Sequence, residues 1–522
     1  MSAQATGVVG IAILCSRVLG LVREMVIASL FGASRNLDAF LTAFRAPNML
    51  RDLFAEGALS TAFVTTFSKK ISAEGDQSAW TLANKVATLT TVFMSVITVL
   101  GVILAPYLVA ALAPGFDPGK AALTVLLARV MYPFILLVSL AALVMGMLNA
   151  KNVFGVPAMA SSFFNLGSIV GGVLFAWWLD PAFGTRALVG LALGTLVGGL
   201  LQLVVQVPSL LKIGYVFHPD FHWRDEGVRK VLQLMGPAVI AASAVQVNVL
   251  INSMFASYLQ DGAVSWLNIA FRLMQLPLGI FGVAVATVTL PLISRSAAQG
   301  NKAEFRGALA HALRLVMLLT IPSAIGLMIL AEPIISLIYE HGRFTAAATA
   351  QTAGALRFYA LGLVGYSAVK VLAPAFYALD RRNLPMVVSI FSILLNAGLN
   401  YILTFRMGLG HRGLALSTSL IAMTNFLLLY AMMRHYAGRM ETSALLGTLG
   451  KLLVAGACLG VVCWFGGQFF FPVGVPQREW WKLVGVLVTV TAGGLAFFLV
   501  AYSLRVAELH DLVDVVKRKV AR

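Results

Sequence analysis

Apolar runs of about 20 residues, separated by short polar punctuation, recur from one end of this chain to the other. About 14 can be traced, near 7–31, 38–67, 83–111, 121–149, 156–179, 184–211, 228–259, 263–294, 307–330, 348–378, 384–405, 412–434, 447–471 and 480–505. As a helix, each can cross ~30 Å of hydrocarbon. Only helices and closed barrels satisfy every backbone polar group in lipid. These runs are too long, and alternate too weakly, for barrel strands. The pattern predicts an all-α polytopic membrane protein. The second run is interrupted at Pro47-Asn48, which predicts a kink or break there.

The runs also repeat. Ala43-Phe44-Arg45 recurs as Ala270-Phe271-Arg272, Ala28-Ser29 echoes Ala256-Ser257, Phe54 echoes Phe281, and the loop leading to Pro157 echoes the one leading to Pro385. The offsets stay near 226–228 residues and span six runs. The halves therefore share one orientation, as two pseudo-symmetric six-helix lobes related about the membrane normal. Residues 1–225 are expected to form the first lobe, 226–440 the second, and 441–522 two extra helices with a basic tail. Transporters built this way bind substrate between their halves and rock them.

Composition agrees: 59% of residues are hydrophobic, 11% are charged, and the mean hydropathy is +0.89. The formal net charge of +17 reflects loop lysines and arginines and calls for no nucleic-acid partner, since basic residues concentrate on the cytoplasmic side. With a cytoplasmic N-terminus, that side collects roughly 19 basic residues, Arg382, Arg439, Arg505 and Arg522 among them. The other side holds only Arg35, Lys120, Arg186, Arg343, Arg406, Arg412 and Arg478. Both termini are thus expected in the cytoplasm. No cleavable signal is evident, because the first run carries Arg17 and Arg23 inside it. Cys15, Cys458 and Cys463 lie in apolar runs, where packing rather than a disulfide or metal role is expected.

Within this apolar frame, a few charges stand where lipid should forbid them. Arg17, Arg23 and Glu24 lie in the first run, Asp38, Arg45, Arg51, Asp52 and Glu56 in the second, and Arg272 in the eighth. An ionised side chain at bilayer depth costs at least ~2.5–3.5 kcal/mol. Such placements make sense if the cations face a shared wet interior, and a positive interior implies an anionic passenger. Guanidinium groups match phosphate oxygens bidentately and stay charged. Asp38 and Glu56 would then orient arginines or close the cavity by ion pairing. The alternatives are snorkelling or structural ion pairs for the arginines and an N-cap role for Asp38.

Asn396 and Asn400 lie four residues apart. They could ligate a monovalent cation, or hydrogen-bond across helices as such amides commonly do. The histidines show no metal-ligand spacing. No Walker loop, dinucleotide fingerprint or nucleophile–base set stands out, so no cofactor is implied. Any driving force would come from an ion gradient, the membrane potential or the substrate's own gradient.

Several segments resemble the MurJ (MviN) family of bacterial lipid II flippases. They are Ser16-Arg17-Val18-Leu19-Gly20 with Arg23, Phe31-Gly32-Ala33 with Asp38-Ala39-Phe40, Pro47-Asn48, and Phe54-Ala55-Glu56-Gly57-Ala58. Ser265-Trp266, Arg272-Leu273-Met274 with Pro277, and Lys370-Val371-Leu372-Ala373-Pro374 with Phe376-Tyr377 extend the likeness over essentially the whole chain. The resemblance implies the multidrug/oligosaccharidyl-lipid/polysaccharide exporter fold around a central cationic cavity, with the two extra helices forming a groove for a polyprenyl tail. It also implies movement of an undecaprenyl-diphosphate-linked peptidoglycan precursor, lipid II, from the inner to the outer leaflet of the bacterial cytoplasmic membrane. The family's essential positions fall on Arg17, Arg23, Asp38, Arg51 and Arg272, with Ser16 and Glu56 nearby. Gln275 stands where some relatives carry a glutamate, and a sodium site of some members would here offer Asn396 and Asn400 without a carboxylate. Other cell-wall synthesis proteins are candidate partners. The alternatives are a flippase for another polyprenyl-linked oligosaccharide, a drug/cation antiporter of the same superfamily, or a membrane transferase acting on polyprenyl phosphates.

Overall fold

The computed structural model describes residues 3–381, 383–438, 440–472 and 478–520. Arg382, Arg439 and Arg522, counted above among the basic loop residues, lie outside the described residues, as does the side chain of Glu56. Among the described residues the chain is helical, with no strand. Among the described residues, ten helices or continuous helix pairs are long and apolar enough to cross a membrane. The bent pair Ala346–Leu361 and Leu363–Ala378 raises the number to 11.

Two compact units emerge, residues Met1–Ser265 with Gly342–Phe344, and residues Trp266–His341 with Thr345–Arg522. The first contains α1 (Ala3–Phe31), α2 (Arg35–Leu50), α3 (Ser60–Glu74), α4 (Asp76–Leu112), α5 (Pro118–Met131), α6 (Phe134–Ala150), α7 (Gly155–Leu179), α8 (Ala187–Val204), the short α9 (Val207–Lys212) and α10 (Glu226–Ser257). Helix α10 thus packs with the helices that precede it, on α3 and α4. Next comes α11 (Ala263–Pro277), whose first three residues belong to the first unit and the remainder to the second. The second unit continues with α12 (Val283–Ala298), α13 (Lys302–Ile329), α14 (Ala331–Tyr339), α15 (Ala346–Leu361), α16 (Leu363–Ala378), α17 (Asn383–Tyr401), α18 (His411–Ala437), α19 (Thr442–Phe470), α20 (Glu479–Ser503) and α21 (Ala507–Val520).

Two apolar cores hold the first unit, one around Tyr132, Met131 and Leu127, the other around Phe63, Phe67 and Leu82. A core around Phe305, Val316, Leu372 and Phe497 lies in the second and includes residues of α19 and α20. Lipid supplies no hydrophobic drive for helix pairing, so close contact depends on small residues. The α7–α8 pair shows this most clearly. A Cβ on Gly190 would lie 2.2 Å from the backbone nitrogen of Ala176, and one on Gly194 2.3 Å from the backbone of Gly172. These glycines let two backbones touch.

The break expected at Pro47-Asn48 falls elsewhere. Helix α2 continues through Pro47 to Leu50, and the irregularity is a π-helical stretch at Arg51–Leu59. Proline removes one donor from the ladder, and the backbone N–H of Arg51 is shared between the carbonyls of Asn48 and Pro47. A second π-helical turn, Leu278–Gly282, starts directly after Pro277 at the end of α11. Both begin six residues beyond an arginine of the repeat, Arg45 in one case and Arg272 in the other. The internal repeat therefore extends to the backbone irregularity itself. Cys15 departs from its expected packing role, since its side chain is exposed.

Gly194→Val is expected to cost about 3 kcal/mol or more by forcing α7 and α8 apart. Gly447→Ala in α19, where a Cβ meets nothing within 4 Å, should leave stability unchanged or slightly raised. Thermal unfolding of the two purified variants in one detergent distinguishes them.

Candidate functional site

The charged positions singled out from sequence separate into two environments. Arg17 is exposed on α1, and Arg272 and Gln275, one turn apart on α11, are exposed as well. Arg23, Glu24 and Arg51 are half-buried. Helix α1 rests on α7 through the Asn165 side chain, which donates to the Ser16 carbonyl at 3.1 Å and sits against Gly20. The Arg23 guanidinium lies 5.3 Å from the centre of the Phe164 ring. Through these contacts α7 fixes the height and rotation of both arginines of α1. Arg51 donates to its neighbour Asp52 at 2.9 and 3.1 Å. Arg45 donates to Ser253 of α10.

Asp38 lies in the opposite environment. It is 0% exposed, and its carboxylate is fully engaged. Oδ2 accepts from the Gly262 N–H at 2.7 Å and from the Lys120 ammonium at 3.1 Å. Oδ1 accepts from the Ser265 N–H at 2.9 Å and from the Ser265 hydroxyl at 2.7 Å. Two of these donors are backbone groups at the start of α11, where free N–H groups and the helix dipole favour an anion. Asp38 therefore caps α11 from outside and is no unpaired charge in this structure. Nor is it the N-cap of its own helix; Ser34 fills that place, its side chain accepting from the Leu37 N–H. Ser265 is also the repeat equivalent of Asp38, 227 residues on, so the contact joins corresponding points of the two repeats.

Around this carboxylate the sequence reading missed a second layer. Lys120 is 3% exposed and bridges Asp38 to Asp261, the latter at 2.8 Å. Arg35 forms a forked pair with Asp117, and its guanidinium also reaches Asp261 at 4.0 Å. By sequence, Lys120 and Arg35 were only two of the loop charges. Their partners lie 82 residues or more away, and no local spacing encodes that.

Asn396 and Asn400 are both 0% exposed on α17. The Ser417 hydroxyl of α18 donates to the Asn396 side-chain oxygen at 3.0 Å, the interhelical bonding set out above as the alternative to an ion site. Among the described residues no cluster of three or more His, Cys, Asp or Glu side chains could hold a metal.

Comparison with known proteins gives this arrangement its family. The family model described as lipid II flippase MurJ matches residues 27–485. The chain belongs to the MurJ family. A lipid II flippase MurJ of Burkholderia cenocepacia is 38% identical over 428 residues, 81% of each chain. A probable lipid II flippase MurJ of Buchnera aphidicola from Acyrthosiphon pisum is 37% identical over 418 residues, 80% of each. The solved structure of a lipid II flippase MurJ in an inward closed conformation superposes with a TM-score of 0.78 at 25% identity, covering 97% of this chain and 99% of that one. An inward-facing multidrug transporter of the MATE family shares the fold, with a TM-score of 0.67 at 16% identity, over 82% of this chain and 95% of its own. The MurJ family and the wider exporter superfamily were both expected from the motifs.

The Arg35–Asp117 fork yields a pH prediction. Asp117 lies in the loop before α5, and the Arg35 guanidinium holds its carboxyl below the ordinary 3.8, at about 2. A depressed carboxyl stabilises the fold above its unfolded value and loses that contribution as pH falls through the folded one. The unfolding-temperature gap between the parent and Asp117→Asn is expected to be constant above about pH 4 and to close towards pH 2. A gap independent of pH over that interval would show that the pair contributes nothing.

Proposed function

We propose that this chain flips undecaprenyl-diphosphate-linked lipid II from the inner to the outer leaflet by alternating access. The observation that carries the reading is the set of arginines within apolar runs, on a chain whose relatives over four-fifths of its length are named lipid II flippases. Arg17, Arg23, Arg51 and Arg272 would bind the diphosphate, with Ser16 taking part. Guanidinium forks suit phosphate oxygens better than point charges do. Arg17 and Arg272 are exposed, as groups that meet a passenger must be. Glu56, Glu24 and Gln275 would serve in gating or ion pairing, and Asp38 would hold the start of α11 while the path is closed at that end.

In this reading α1, the α2–α3 stretch and α10 are three further crossings. With the 11 counted above they bring the total to 14: six in residues 1–225, six in 226–440, and α19 and α20 in 441–522. Both termini then lie in the cytoplasm of a multi-pass protein of the bacterial inner membrane, as the distribution of basic residues requires. A cytoplasm-negative potential of ~100 mV favours outward movement of each negative charge by about 2.3 kcal/mol and draws an emptied, positive site back. Membrane potential is therefore a sufficient source of bias. A drug/cation antiporter on this fold would line its path with acids, opposite to the arginines here.

In cells depleted of the chromosomal copy, the parent chain should restore lipid II accessibility at the outer face. Arg17→Ala and Arg272→Ala should lower it at least tenfold at equal membrane abundance, the loss of at least ~1.4 kcal/mol of interaction. Unchanged lipid II accessibility on depletion alone would remove the proposal.

A further inference from the structure

We infer that Lys120 is the resident counter-ion of Asp38, the positioning residue that makes the hold on α11 reversible. This inference rests on the alternating-access reading for its consequence, though not for its chemistry. Lys120 lies at the start of α5, and α5 packs directly on α2, which carries Asp38. Both side chains are sealed, with 4% and 1% of their surface exposed, and their charged atoms are 3.1 Å apart. The other partners of the two groups sit on a different segment. Asp261, Gly262 and Ser265 all belong to the link between α10 and α11 and the first turn that follows it.

This division has a direct consequence. If the start of α11 moves away, Asp38 loses three hydrogen bonds at once, from the Gly262 N–H and from both donors of Ser265. Lys120 stays, because its own helix is fixed to α2. A carboxylate stripped of donors in a poorly hydrated site needs a cation beside it. Lys120 supplies that cation in both positions, while its second acid, the half-exposed Asp261, is released to water. The surroundings leave no substitute. Arg35, the other cation of the cluster, is forked to Asp117. Without Lys120, the cation left in the cluster would be Arg35, which already serves Asp117 and Asp261. The ammonium of Lys120 also lies over the Phe116 ring, 4.2 Å from its centre to Nζ, which holds it on this side.

The test separates charge from volume. Lys120→Met keeps the length of the side chain and removes its charge. In thermal unfolding of the purified full-length chain, Lys120→Met is expected to unfold several degrees earlier than the parent. Adding Asp38→Asn, which removes the buried anion and leaves an acceptor for Gly262 and Ser265, should recover at least half of that loss. Lys120→Met unfolding with the parent would overturn the inference, and so would a double variant no better than the single one. Should Lys120→Met fail to accumulate in the membrane, recovery of membrane level by the double variant supports the inference, and its absence overturns it. Transport is read separately. Lys120→Met should lower outer-face lipid II at least tenfold at equal abundance. If the unfolding coupling is found but lipid II exposure is untouched, the counter-ion stands and the hold on α11 has no part in flipping.

Discussion

An ionised carboxylate sealed from water survives only where cations and N–H donors replace its hydration. Asp38 imposes that requirement on the fold. Meeting it draws in the start of α11, the ammonium of Lys120 and, one layer out, Asp261, Arg35 and Asp117. Besides α2 itself, these partners come from the start of α5 and from the link into α11. One side chain in the first turn of α2 therefore sets where two other segments meet. The arrangement is costly to assemble and costly to lose in part, because removing a single partner strands a charge. Such a cluster is a switch-like element: it is satisfied when complete and strongly unfavourable when half-built.

The arginines obey the converse rule. Arg17 and Arg272 are exposed on helices whose composition would suit lipid, and a guanidinium at that depth is stable only against water or an anion. The chain thus uses two electrostatic regimes side by side. Acid is buried and satisfied at Asp38, and base is exposed at Arg17 and Arg272. Asn165 and Phe164 on α7 hold α1 with a neutral amide and an aromatic ring.

What the sequence discloses follows from the range over which each feature is encoded. Apolar runs, the internal repeat and the unusual depth of Arg17, Arg23, Arg45, Arg51 and Arg272 are local or periodic, and all are legible. The family motifs are contiguous strings and equally visible. Lys120 was not legible, because its significance lies in two partners 82 and 141 residues away and its own surroundings read as an ordinary helix start. Asp38 was noticed for its charge, but its burial depends on the start of α11, 224 and 227 residues on. The backbone irregularity was placed at Pro47 because proline is the visible breaker. The helix absorbed the missing donor and widened four residues later, where Arg51 shares two carbonyls.

That displacement bears on mechanism. A π-helical turn weakens the regular ladder and rotates everything beyond it relative to what precedes it. In both repeats the turn comes six residues after the arginine. Each arginine, together with the buried contact at the start of its helix, therefore lies on one side of the irregular turn, and the rest of the crossing lies on the other. On the first repeat the start of the helix is held by Asp38, and on the second by the same carboxylate acting on Ser265. A single anion is thus fastened to the leading ends of two helices, each able to bend at the corresponding point along its length. The carboxylate that caps α11 therefore stands at the same sequence distance from the irregular turn in both repeats.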